Sequence, residues 1–164
     1  MELSAIWTAQ VFLLLGLASA LVAGVFLAFS DFVIAGLARS AGHGGLESMQ
    51  HLNRTVFRSL FLALFLALVP LTMLAAGYAA MQLGGAARAL PIAGGIVYFS
   101  ATFLVTVTAN VPMNERLDAL PPDGREAAAY WRSYVPAWTR WNHLRTAGSA
   151  LCALCFLQAA LLVR

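Results

Sequence analysis

Lysine is absent from this chain. All ten basic residues are arginine, set against seven carboxylates, and charged residues make up 10% of the 164 positions. Soluble domains average about 25%. With 61% hydrophobic residues and a mean hydropathy of +0.79, a water-facing domain of this size has too little interior to hide its apolar surface. The arginines form no run or patterned patch, which argues against nucleic-acid binding. The two cysteines, Cys152 and Cys155, sit inside an apolar run, so no disulfide framework is implied. The three histidines show no HxxxH or ExxH spacing, and no glycine-rich phosphate loop is present. The apolar runs are long and do not alternate with period two, so helices rather than a barrel must satisfy the backbone in lipid.

What is there is a set of spanning segments. About 20 apolar residues cross a bilayer, and four stretches qualify, at roughly 5–34, 55–81, 90–111 and 142–163. The first has no basic leader and stays apolar past "ASA", so it reads as a retained helix rather than a signal peptide. The Gly- and Ser-rich "ARSAGHGGLES" predicts a turn leading into an early polar start of helix two at "LESMQHLNRTVF". "QLGGAARALP" is a short link. In the longer third link, 125–141 reads as helix feeding into helix four, with Pro136 a candidate kink. The expected fold is all-α, an integral membrane up-down four-helix bundle forming a single domain over 1–164.

Arg39, Arg54, Arg58, Arg116, Arg125, Arg132 and Arg140 lie in or beside the first and third links, against Arg88 and Arg164 on the other side. The positive-inside rule then puts these links in the cytoplasm and both termini outside. The expected location is the cytoplasmic (inner) membrane of a bacterium. Gly16, Ala20, Gly24 and Ala28 form a small-residue stripe that suits close helix approach. Cys152 and Cys155 read as packing residues.

The polar residues collect at one end of each predicted span. Ser30 and Asp31 close helix one. Gln50, His51, Asn53, Arg54 and Arg58 open helix two, where Glu47, His51, Arg54 and Arg58 would share a narrow arc. Asn110, Asn114, Glu115 and Arg116 close helix three, with Pro112 bending the backbone between the two amides. Asn142, His143 and Arg145 begin helix four. At about 100° per residue, Trp131, Tyr134, Trp138, Trp141, Asn142 and Arg145 share one arc, while His143 points away from Asn142. A structural reading competes: aromatics and arginines gather at membrane interfaces, and buried amides can satisfy one another between helices. Yet asparagine gains little at an interface, and polar groups inside membranes mark functional sites. Asn53, Asn110, Asn114 and Asn142 fall at matching depth on three helices.

The motifs "AGVFLAFSDFVIAGLAR", "MQHLNRTVFRS", "NVPMNERL" and "WTRWNHLRT" together resemble a bacterial and fungal family of small four-helix membrane proteins, mostly uncharacterised. Its named relatives are the anthrone oxygenases of polyketide pathways. The match falls on Phe29 to Phe32, on Met49, Gln50 and Asn53, on Asn110, Pro112, Asn114 and Leu117, and on Trp138, Trp141, Asn142, His143 and Arg145. The resemblance implies cofactor-independent oxygenation of a phenolic, polycyclic or quinone-like substrate. A base takes a carbon-bound proton, the enolate reacts with O2, and the hydroperoxide loses water to give a quinone. Under that implication His143 or His51 is the base and Asn114 and Arg145 are the other catalytic candidates. Asn53, Asn110 and Asn142 are further donors, and Trp138 and Trp141 are stacking walls. No metal is expected; a mixed set of Asp31, His51, Glu115 and His143 lacks ligand spacing. Expected partners are a small hydrophobic or aromatic ligand and membrane lipid, without nucleic acid, and a homo-oligomer is compatible. The alternative is a non-enzymatic membrane protein that binds a lipid, quinone or isoprenoid, or docks a partner protein.

Overall fold

In a computed structural model of the chain, which describes residues 2–163, all regular structure is helical. Four helices are long and apolar enough to cross a membrane: Leu3–Ala38, Leu60–Gln82, Gly85–Asp118 and Arg125–Leu162. They form the expected integral membrane helical bundle. Arg164, counted above with the outer-side arginines, lies outside the described residues.

Consecutive spans run antiparallel. Phe26 meets Phe61 and Phe65 while Thr8 bonds Tyr78, so the first and second run in opposite directions. Tyr98 donates to the Phe65 carbonyl at 3.0 Å, while Gly95 lies against Thr72. Gly94 faces Cys155 and Phe156, and Gly148 faces Ala101. Ser19 meets Cys152, and Phe12 meets Phe156, so the fourth span closes on the first. Leu14, Leu21 and Leu74 are exposed, the face a helix turns to hydrocarbon rather than to water.

The first span passes through a π-helical turn at Phe29–Val33 and ends at Ala38. Gly42 turns the chain with φ 59°, open to glycine without strain. Gly45 must also be glycine, because a Cβ there would fall 1.8 Å from the Leu37 carbonyl oxygen. The polar stretch after this turn is a separate helix, Gly44–Thr55, not an early start of the second span. Ser59 is extended (φ −97°, ψ 148°) and accepts from Leu62 N at 3.1 Å as the N-cap of a new helix. Arg58 therefore sits in the intervening 3-10 turn and does not continue the arc of His51 and Arg54.

The third span also departs from expectation. It begins at Gly85 and runs on to Asp118, well past the predicted end. Two π-helical segments, Tyr98–Leu104 and Thr106–Asn110, precede Pro112. Pro112 thus falls in the first turn of the α-helical stretch Val111–Asp118, directly after the π-helical segment. "NVPMNERL" is consequently helix. Gln50 Nε2 caps its end, donating to the Leu117 and Leu120 carbonyls at 2.8 Å each. The fourth span is the predicted continuation of 125–141 into the membrane, unbroken through Pro136.

The small-residue stripe of the first span is offset from its interface. Gly16 packs against Leu157, but Ala20 and Gly24 are exposed, and the inward line runs through Phe12, Leu15, Ser19, Ala23 and Phe26. Large side chains such as Phe12 and Phe26 bury more area than the small ones, so they set the helix's rotation. Cys152 and Cys155 are buried free thiols.

Candidate functional site

Two apolar clusters fill the bundle. One holds Phe12, Leu15, Leu68, Tyr98, Cys152 and Phe156; the other holds Ile34, Leu46, Met49, Leu117, Tyr134 and Trp138. Between them along the helices lies a buried polar layer of Ser30, Thr102, Asn110, Asn142, Arg145 and Ser149.

Asn142 organises this layer. Its Nδ2 donates to the Phe26 carbonyl at 2.6 Å and to Ser30 Oγ at 2.5 Å. Its Oδ1 accepts from Arg145 Nη2 at 2.5 Å. Arginine is only a donor, which fixes the amide's orientation. Ser30 Oγ itself donates to the Phe26 carbonyl at 3.0 Å, within the π-helical turn where side chains reach the backbone. Arg145 Nη1 donates to Thr106 Oγ1 at 3.4 Å. The guanidinium carbon lies 4.4 Å from the Phe26 ring centroid and 5.3 Å from that of Trp138, close enough for cation–π attraction to both.

Arg145 is only 6% exposed, and its Nε has no hydrogen-bond partner. Among the described residues no carboxylate pairs with it. A buried cation held by neutral groups alone keeps its charge uncompensated, an arrangement that is costly unless an anion completes it.

The guanidinium lines a cavity of about 250 Å³. Its walls are largely apolar, with aromatic rings from Phe26 and Phe29 of the first span, Phe61 and Phe65 of the second, and Trp138 of the fourth. The short helix adds Asn53 and Arg54, and the third span adds Thr106, Asn114, Glu115 and Asp118. Arg54 Nε lies 2.8 Å from Asp118 Oδ1, tying the short helix to the end of the third span.

Asn114 is fixed from the fourth span. Its Oδ1 accepts from Tyr134 Oη at 2.8 Å and from Trp138 Nε1 at 2.9 Å. The indole nitrogen can only donate, so the oxygen is assigned and Nδ2 is turned the other way. Tyr134 stacks between Trp131 and Trp138. Asn53 Nδ2 is buried without a hydrogen bond of good geometry, although the amide lies beside the Tyr134 hydroxyl.

Of the residues singled out from sequence, Asn53, Asn114, Trp138, Asn142 and Arg145 therefore line one cavity. Asn110 is buried but turned to the fourth span, with Nδ2 3.5 Å from the Trp138 carbonyl, and is not part of the cavity wall. Trp141 is 43% exposed, at the edge of the aromatic arc. His51 and His143 are exposed, and neither lines the cavity. Asp31 is exposed too, and among the described residues no three His, Cys, Asp or Glu side chains converge. The sequence reading missed Thr106 and Asp118. Thr106 precedes Asn110 by one turn in "TVTAN", and that spacing was the available signal. The Arg54–Asp118 pair depends on the short helix being separate from the second span, which the polar stretch "LESMQHLNRTVF" does not by itself reveal.

The profile of the family described as anthrone oxygenase matches residues 54–155. No curated protein matches the chain, and no solved structure does. The matched stretch takes in Asn114, Trp138, Asn142 and Arg145 and covers well over half of the 164 residues. A four-span helical membrane protein carrying that match belongs to the anthrone oxygenase family.

Proposed function

We propose that this protein oxygenates a phenolic polycyclic substrate in the Arg145 cavity, on the cytoplasmic side of a bacterial inner membrane, without a bound cofactor. The observation that carries the reading is Arg145 itself: a buried guanidinium, unpaired by any described carboxylate, beside a flat aromatic wall. Such a donor suits the oxygen of an anthrone as its methylene loses a proton and charge develops on the ring system. Asn142 orients Arg145 through Oδ1 and is itself held by Ser30 and the Phe26 carbonyl. Asn114 Nδ2 supplies a second donor. Phe26, Phe29 and Trp138 stack on the rings and keep water from the anion.

The enolate transfers an electron to O2, the radical pair combines at carbon, and the hydroperoxide loses water to leave the ketone. One O2 thus converts a CH2 into C=O and one water. The test is O2 uptake and product mass with dithranol, a dihydroxyanthrone, above the spontaneous rate in detergent buffer. Uptake matched by quinone formation and lost in Arg145→Lys supports the reading. The apolar wall also favours a second one, a lipid, quinone or isoprenoid held without turnover. A tightly retained lipid together with no uptake selects it.

A further inference from the structure

We propose that Glu115 is the proton acceptor of this reaction, taking the methylene proton of the substrate while Arg145 receives the developing oxyanion. The inference rests on the oxygenation reading above and adds the group that starts it. The cavity wall holds four ionisable side chains: Arg54, Glu115, Asp118 and Arg145. Arg54 and Asp118 hold each other at 2.8 Å, and Arg145 is a cation. Glu115 is left, and among the described residues its side chain has no hydrogen-bond or ion-pair partner. The histidines, more usual bases, stand outside the cavity. A free carboxylate in the wall of an aromatic cavity that also contains an uncompensated buried cation is the complementary half of an acid–base pair.

Both groups line the same cavity, whose wall includes Trp138. The Arg145 guanidinium carbon is 5.3 Å from the Trp138 ring centroid, and Trp138 Nε1 donates to Asn114, the neighbour of Glu115 in sequence. In the proposed pose a planar ligand in this cavity turns its oxygen to Arg145 and its reacting carbon to Glu115. Glu115 is exposed, whereas Arg145 is buried. The proton therefore leaves toward water, and the charge stays in the dry part of the cavity, where electrostatic attraction is strong.

The step balances. The C–H bond breaks, its electron pair moves through the ring to the oxygen facing Arg145, and the proton forms an O–H bond on Glu115. After one-electron transfer to O2 and radical combination, the peroxide anion takes that proton back. Loss of the second C–H proton with O–O cleavage then gives ketone and water.

The closing experiment separates proton removal from oxygenation. Wild-type protein and Glu115→Gln are mixed with dithranol in D2O under argon, and deuterium entering the methylene is followed by NMR. O2 uptake is measured in parallel, and binding of the quinone danthron is checked by absorbance. Wild type should exchange faster than buffer. Glu115→Gln should bind danthron like wild type and lose exchange and turnover by about 100-fold or more, the usual contribution of a positioned base. Formate added to Glu115→Ala should restore part of the exchange, which a merely structural carboxylate would not allow. Exchange in wild type that is lost in Glu115→Gln, without O2 uptake by wild type, would keep Glu115 as the acceptor and sink the oxygenation reading. Wild-type exchange in Glu115→Gln, with O2 uptake intact, would overturn Glu115 alone. No exchange and no uptake in wild type would overturn both.

Discussion

The two ends of this bundle are built from the same four helices and solve different problems. Around Phe12, Leu68 and Phe156 the helices approach closely. A Cβ on Gly94 would lie 3.1 Å from Cys155 Cβ, and one on Gly16 2.7 Å from the Leu157 side chain. Polar groups near this end are satisfied locally, as when Thr72 Oγ1 donates to the Leu68 carbonyl at 2.7 Å. Toward Trp138 the helices carry π-helical turns in the first and third spans, a buried Asn–Arg network and a cavity. Small contact residues suit close packing, whereas amide side chains hold a buried charge beside open space.

Substitutions can break that contrast, and the largest effect is expected at Arg145. Arg145→Lys keeps the charge but loses the planar fork that reaches Asn142 and Thr106 together. Dithranol turnover should fall by about 100-fold or more, as when an oxyanion donor is lost, while the variant still folds by circular dichroism. Next is Asn142→Ala, which removes the acceptor of Arg145 Nη2 and a donor to Ser30 Oγ at once. It should cost about 2 kcal/mol of stability, the penalty of unpaired buried polar groups, read as a lower unfolding midpoint in detergent together with lost turnover. Gly94→Val acts only on the close-packed end. Overpacking there should cost about 1–2 kcal/mol, with turnover per folded molecule unchanged. The smallest effect is expected from His51→Ala with His143→Ala. Both side chains are exposed outside the cavity, so turnover should stay within about twofold of wild type, as for substitutions away from special sites. A large loss in the double variant would return the base to a histidine and dissolve the Glu115 assignment.

The spans were legible because apolar runs of bilayer length have few alternatives. Trp138, Asn142 and Arg145 were also legible as a group, since one helical phase carries all three and nothing interrupts the fourth span. Trp141 lies at the rim of that arc, where a rotation of a few tens of degrees decides between cavity and exterior, and helical phase does not resolve so small an angle. Pro112 and the two amides around it were harder to read. A proline after a polar residue usually signals an end, but the π-helical Thr106–Asn110 lets the helix continue. That continuation turns Asn110 to the Trp138 carbonyl and leaves Asn114 in the cavity wall. The break at Ser59 was hidden for a similar reason, because a lone serine in "FRSLFL" caps a helix only when the preceding turn is tight. Ionisable residues mark the site less clearly than their number suggests: of Asp31, His51, Glu115 and His143, only Glu115 lines the cavity.

The central claim is that Arg145 makes the cavity a receptor for an aromatic oxyanion. Alizarin, a flat hydroxyanthraquinone indicator dye, tests it most directly, because its phenolate absorbs at longer wavelength than the neutral form. The purified protein is titrated into dye in detergent buffer acidic enough to keep the free dye neutral, beside Arg145→Met, which fills the same space without charge. The account predicts a saturable long-wavelength band with wild type and only the neutral spectrum with Arg145→Met. Equal binding of the neutral dye by both proteins, with no phenolate band in either, would contradict it.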